Sequence, residues 1–162
     1  MTHLNRAARL GTLALLVGLL TAPLPAAAQE ADPAFAAFAG GWSHHGFGLT
    51  VYDDGSGVAI WRVYRWCGPG VPEPCDLLTD NRIISGGHAD LTFTGIDEAG
   101  ALQGEVSSAT DTELLADGPL SLTSQPYGML LLEQGDTQLT LCGDQFTNLA
   151  PPEVVEQSPC GA

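Results

Sequence analysis

From Gly40 onward, apolar and polar residues alternate with a period of two, the spacing at which successive side chains point to opposite faces of a β-strand. In residues 40–52, Phe47, Leu49 and Val51 share one face, with Gly48, Thr50 and Tyr52 opposite. This predicts a first strand running into the hairpin turn Asp53-Asp54-Gly55-Ser56-Gly57. Residues 57–66 predict a second strand that is apolar on both faces: Val58, Ile60, Tyr64 and Trp66 on one side, and Ala59, Trp61 and Val63 on the other. Such a strand is either central and covered or faces something apolar. Residues 77–85 form a weaker third. Residues 88–96 alternate cleanly, with Ala89, Leu91 and Phe93 inward, and residues 101–108 follow with Leu102 and Val106 inward. Three more strands are predicted over 119–124, 127–133 and 137–142, carrying Leu120 and Leu122, the run Met129–Leu132, and Leu139 with Leu141. Short strands joined by Gly/Asp turns predict an all-β fold: a small antiparallel up-and-down barrel of about eight strands, or a sandwich.

The segments outside this alternation read differently. Residues 110–118, with Asp111, Glu113 and Asp117, are expected to form a loop or a single helical turn. Residues 143–162 hold Pro151, Pro152 and Pro159 and read as a strap over the outside of the sheet. Residues 29–39 read as an arm whose Phe35 and Phe38 either dock or hang loose, after a helix start at Asp32-Pro33. Before it, Arg6 and Arg9, the apolar run Leu10–Leu20 and Ala26-x-Ala28 predict a signal peptide over residues 1–28, cleaved after Ala28. The expected location is therefore extracellular, with one β domain over residues 40–142.

Charge narrows the partners. Beyond residue 28 the chain has no lysine and only Arg62, Arg65 and Arg82, against all 19 carboxylates, a formal charge of −16. Phosphate backbones and anionic membranes need clustered Lys and Arg, so neither nucleic acid nor a membrane surface is an expected partner. Four cysteines after an export signal predict two disulfides. Three pairings are possible. Cys67–Cys75 and Cys142–Cys160 are preferred, because each closes a Pro/Gly-rich segment. Each is expected to stabilise by about 2.5–3 kcal/mol.

The start Gly40-x-Trp42, followed by a hairpin, resembles the first strand of lipocalin- and avidin-like (calycin) barrels. That resemblance implies a barrel with Trp42 plugging one end. No Thr-Asp-Tyr signature follows on the middle strands, so it does not extend to a lipocalin ligand pocket. The opening also resembles that of small secreted bacterial β-proteins beginning Gly-x-Trp-x-x-His, which implies no activity.

Trp42 differs in parity from Phe47, Leu49 and Val51. A shared face requires a bulge between them, which Gly46 and Gly48 permit, and His44 and His45 would then point to opposite sides. No elbow around a nucleophilic serine, no phosphate-cradling loop and no metal-ligand spacing is present, so no cofactor, metal or catalytic residue is assigned. Asp53–Gly57 reads as a turn and not as a calcium loop, since it lacks the terminal bidentate Glu. The expected function is non-enzymatic: a monomeric secreted domain binding a small ligand or an extracellular partner. The candidate binding residues are Trp61, Arg62, Tyr64, Arg65 and Trp66, with His44 and His45. Two alternatives stand beside it. One is a small secreted hydrolase using His44, His45 or His88 with a carboxylate; the other is a protease inhibitor presenting the Cys67–Cys75 loop.

Overall fold

A computed structural model describes residues 33–160, and the expected signal peptide lies outside the described residues. After a short helix α1 (Pro33–Ala36), the strands are β1 (Gly40–His44), β2 (Phe47–Val51), β3 (Ser56–Trp61), β4 (Leu77–Thr79), β5 (Arg82–Ile84), β6 (Gly87–Ile96), β7 (Leu102–Ala109), β8 (Gly118–Gln125), β9 (Met129–Gln134) and β10 (Thr137–Gly143). Eight of them close into a barrel in the order β1-β2-β3-β6-β7-β8-β9-β10, with every neighbour antiparallel. β10 returns to β1 through the pairs Trp42–Gly143 and Ser43–Cys142. The architecture is therefore an up-and-down barrel and not a sandwich, compatible with a calycin-like fold. Closure leaves these strands no unpaired edge.

The period-two pattern decides what fills the barrel. Leu49, Ala59, Leu91, Leu102, Leu122, Leu130, Leu132 and Leu141 all point inward and are almost completely buried. Burying each leucine contributes about 1.5–3 kcal/mol, so the packed interior is the main source of stability.

Two expected strands are in fact hairpins. Residues 40–52 do not form one bulged strand: the chain reverses at His45-Gly46, and β1 pairs with β2 through Trp42–Leu49 and His44–Phe47. Residues facing each other across an antiparallel pair share a face, so Trp42 and Leu49 point the same way without any bulge. Gly46, at φ +74, supplies the left-handed turn residue and leaves room for the Tyr64 ring above it. Likewise residues 77–85 form β4 and β5, joined at Asp80 (φ 50) and Asn81 (φ 60). Two left-handed residues in a two-residue loop define a type I′ turn. This hairpin lies outside the barrel, so the count of eight barrel strands holds with a different partition. β3 ends at Trp61, five residues earlier than the alternation suggested.

The ends are finished by other segments. Phe35 and Phe38 are buried in the core, so the arm docks. Phe35 packs beside Gly55 of the β2–β3 turn, and the Trp42 Nε1 donates to the Phe38 carbonyl at 2.8 Å. Trp42 is half-buried at this end, alongside the arm. The Asp54 carboxylate accepts from the Ser56 hydroxyl and amide, which hold it below its ordinary pKa and fix the turn. The tail contains two short helices, α2 (Phe146–Leu149) and α3 (Pro152–Gln157), that the sequence pattern did not predict. It is fastened by the Cys142–Cys160 disulfide and by the His45 amide donating to Pro159. Both disulfides have the preferred pairing, with Cα–Cα distances of 5.0 Å for Cys67–Cys75 and 5.8 Å for Cys142–Cys160.

Candidate functional site

The end of the barrel away from α1 gathers the chemistry. Here β3 stops at Trp61, opposite Gly87 of β6, and residues 62–86 leave the wall before β6 begins. Trp61 is 2% exposed and stacks on Phe47, with ring centroids 6.2 Å apart. A side chain at position 87 would collide with the indole, so glycine there is what lets Trp61 lie flat across the strand pair. The indole Nε1 is the buried side-chain donor without a hydrogen-bond partner among the described residues.

Residues 62–86 are organised around one carboxylate. Asp76 is fully buried. It accepts from Arg62 Nε at 2.8 Å, the Val63 amide at 3.1 Å, the Tyr64 amide at 2.9 Å and the Gly86 amide at 2.9 Å. Burial works against the charged form, but the Arg62 hydrogen bond, the backbone donors and the guanidinium charge outweigh it, so the carboxyl sits below its ordinary pKa. The backbone of Asp76 is engaged too: its amide donates to Arg65 and its carbonyl accepts from Cys67. Four donors converging on one carboxylate set both ends of the excursion. They also hold Tyr64 at φ 54, a conformation bulky residues rarely adopt. Arg62 then stacks under Tyr64 and Trp66, its guanidinium carbon 4.9 and 5.1 Å from the two ring centroids. Arg65 donates to the Pro74 carbonyl at 2.5 Å, and the Cys67–Cys75 disulfide closes the tip.

This rigid excursion presents apolar surface to solvent. Tyr64, Trp66, Leu77, Leu78, Ile83 and Ile84 are each between 46 and 64% exposed. The register pairs Leu77 with Ile84 and Leu78 with Ile83, so the β4–β5 hairpin is aliphatic on both faces. The charge distribution is equally uneven. Arg62, Arg65 and Arg82 all fall in residues 62–86, where Glu73, Asp76 and Asp80 balance them. Of the 19 carboxylates, Glu30 and Asp32 precede the described residues, which leaves 14 on the barrel and tail with no Lys or Arg.

Beside the excursion, a cavity of about 360 Å³ opens at the mouth of the barrel. Phe47, Trp61, Leu114 and Leu139 line it together with His44, His45, Tyr64, Asp111 and Glu113. His44 Nδ1 lies 3.0 Å from the Thr140 carbonyl. Leu115, a buried residue of the 110–117 loop, anchors this side. Gln134 and Thr137 pin that loop by bonding the backbone of Ala116 and Leu114.

The expected site residues are thus partly assembled. His44, His45, Trp61, Arg62 and Tyr64 meet at the mouth, and the two histidines line one cavity although their side chains were expected to diverge. The hairpin reversal is the reason, since it places His44 on a strand and His45 in the turn. Arg65 and Trp66 lie further out on the excursion, and they and Arg62 are off the regular strand that the alternation predicted over residues 57–66. His88 stands apart on the outer wall, 3.7 Å from Asp90. Asp76 and the Leu/Ile hairpin were missed. The hairpin had a readable signal: Asp80-Asn81, two residues that tolerate left-handed backbone, between two aliphatic triplets. Asp76 had none beyond its place next to Cys75. Among the described residues no cluster of three or more His, Cys, Asp or Glu is arranged to hold a metal ion. No protein-family model, curated protein or solved structure was found to match the chain.

Proposed function

We propose that the protein is an exported, non-enzymatic recognition domain that binds an extracellular protein through residues 62–86. The observation that carries this reading is the electrically neutral, apolar excursion standing on a strongly acidic barrel. Solvent-exposed aliphatic and aromatic side chains on a backbone pinned by a buried ion pair and a disulfide are what a preorganised docking surface requires. Arg and aromatic residues stacked together are typical anchors of such surfaces. The acidic barrel around it favours a partner whose apolar cleft is rimmed by Lys and Arg, and the same charge opposes a second copy.

The test is a photocrosslinking residue placed at Leu78 in the protein exported by its own host, with a matched one at Glu105 on the barrel wall. A single protein adduct from position 78, absent from position 105, lost in Trp66→Ala and weakened by salt, is the expected result. Equal labelling from both positions overturns the reading, and co-sedimentation with neutral phosphatidylcholine vesicles would replace it with a lipid surface.

A further inference from the structure

The mouth cavity has a different chemistry from the excursion beside it. Its floor is apolar, made by Phe47, Trp61, Leu114 and Leu139. The one full positive charge on its wall, Arg62, is ion-paired with Asp76 through Nε at 2.8 Å. The remaining charged groups of the lining are the carboxylates of Asp111 and Glu113. Asp111 Oδ1 accepts the Glu113 amide at 3.2 Å, which leaves Oδ2 to accept another donor. A carbonyl can only accept, so His44 Nδ1 donates to Thr140, and on a neutral ring Nε2 is left as an acceptor. The unpaired Trp61 Nε1 is a buried donor. The Asp111 and Glu113 carboxylates and His44 Nε2 accept hydrogen bonds, and the charges not already paired at this mouth are negative.

We infer that this cavity is a binding site for a small organic cation: a primary amine with an aromatic or branched apolar body. The ammonium has donors only, three of them, and matches an acceptor wall made of the Asp111 and Glu113 carboxylates and His44 Nε2. The apolar body lies on Phe47 and Trp61. The cavity volume of about 360 Å³ sits at the small end of known ligand pockets, which suits a compact molecule and not a fatty acid or a porphyrin. Carboxylate ligands are disfavoured, because binding one means facing Asp111 and Glu113 while the charge of Arg62 is already neutralised by Asp76. The excess of carboxylates over the whole barrel draws cations toward the same mouth.

Three isosteric probes test this at pH 7.5: phenethylamine, 2-phenylethanol and 3-phenylpropionate, each titrated while the Trp61 indole and the His44 ring signals are followed by NMR. The expected result is saturable binding of the amine alone, at least tenfold tighter than the alcohol, with no detectable binding of the acid. Asp111→Asn with Glu113→Gln should reduce amine affinity at least tenfold, whereas Asp90→Asn with Glu105→Gln, which removes the same charge from the outer wall, should leave it within twofold. Equal binding of amine and alcohol, or equal loss in both double variants, overturns the site in favour of general charge attraction. Leu78→Asp should leave amine binding intact, so failure here and failure of the partner-docking reading are separable.

Discussion

The two ends of the barrel are closed by opposite means. At the end where the chain enters, Phe35 and Phe38 pack into the core, and the half-buried Trp42 packs beside them with one indole hydrogen bond. At the other end, a long excursion is held by a buried carboxylate with four converging donors, and beside it the mouth stays partly open. The apolar plug needs only volume and hydrophobicity, which tolerate approximate geometry. The polar knot is directional: each bond fixes a particular backbone position, and losing one partner strands the rest in a buried site. The first device seals. The second holds a shape that exposes apolar side chains, and both candidate binding features sit at that end.

This contrast can be broken by substitution. The largest effect is expected for Asp76→Ala, which leaves Arg62 and three amides without their acceptor. Losing one partner of a buried pair costs on the order of 3–5 kcal/mol. Chemical denaturation would measure it, and hydrogen exchange should show protection lost in residues 62–86 ahead of the barrel strands. Acid should act in the same direction. The folded pKa of Asp76 is lowered, so its contribution is complete above the unfolded value of about 3.9 and is lost as the pH falls through the lower folded value. Asp76→Asn should therefore flatten the acid limb of the stability profile, and an unchanged limb would mean that other carboxylates dominate it.

Phe38→Ala comes next, at about 3 kcal/mol from lost burial and the cavity left behind. Here the barrel should loosen while exchange protection around Asp76 follows only the global stability. Selective loss in residues 62–86 would show the two ends to be coupled. Replacing Cys67 and Cys75 together by Ser should cost about 2.5 kcal/mol by the loop-entropy estimate, read from the denaturation midpoint. A much smaller loss would mean that the Asp76 knot alone orders the tip. The smallest effect belongs to Leu78→Asp. Its side chain is 61% exposed, so stability should change by no more than about 0.5 kcal/mol. A larger loss would assign the hairpin a structural role and weaken its reading as a docking surface.

Much of the barrel was legible before the fold was seen. The inward faces of β6, β7 and β8 match the alternation of Ala89, Leu91 and Phe93, of Leu102 and Val106, and of Leu120 and Leu122. Turns were harder, because period two is blind to a reversal of direction. A strand and a tight hairpin carry the same local alternation, and the odd separation of Trp42 and Leu49 fits a bulge in one reading and a two-residue turn in the other. The same ambiguity hid the β4–β5 hairpin and ran β3 on through Arg62–Trp66, where the residues stay apolar although the pairing has ended.

The amino-acid sequence by itself determined the class of fold, the interior faces of most strands and the preferred cysteine pairing. Those follow from local periodicity and from loop closure, both of which are properties of neighbours along the chain. Only the tertiary structure decided that the barrel closes, that Asp76 is the organising residue of the excursion, and that Asp111 and Glu113 share a mouth with His44. Asp76 lies 14 residues from Arg62 and 10 from Gly86, and its four donors meet only after β3 and β6 have paired. A buried carboxylate acquires its meaning from the donors that surround it in space, and that arrangement leaves no period in the sequence.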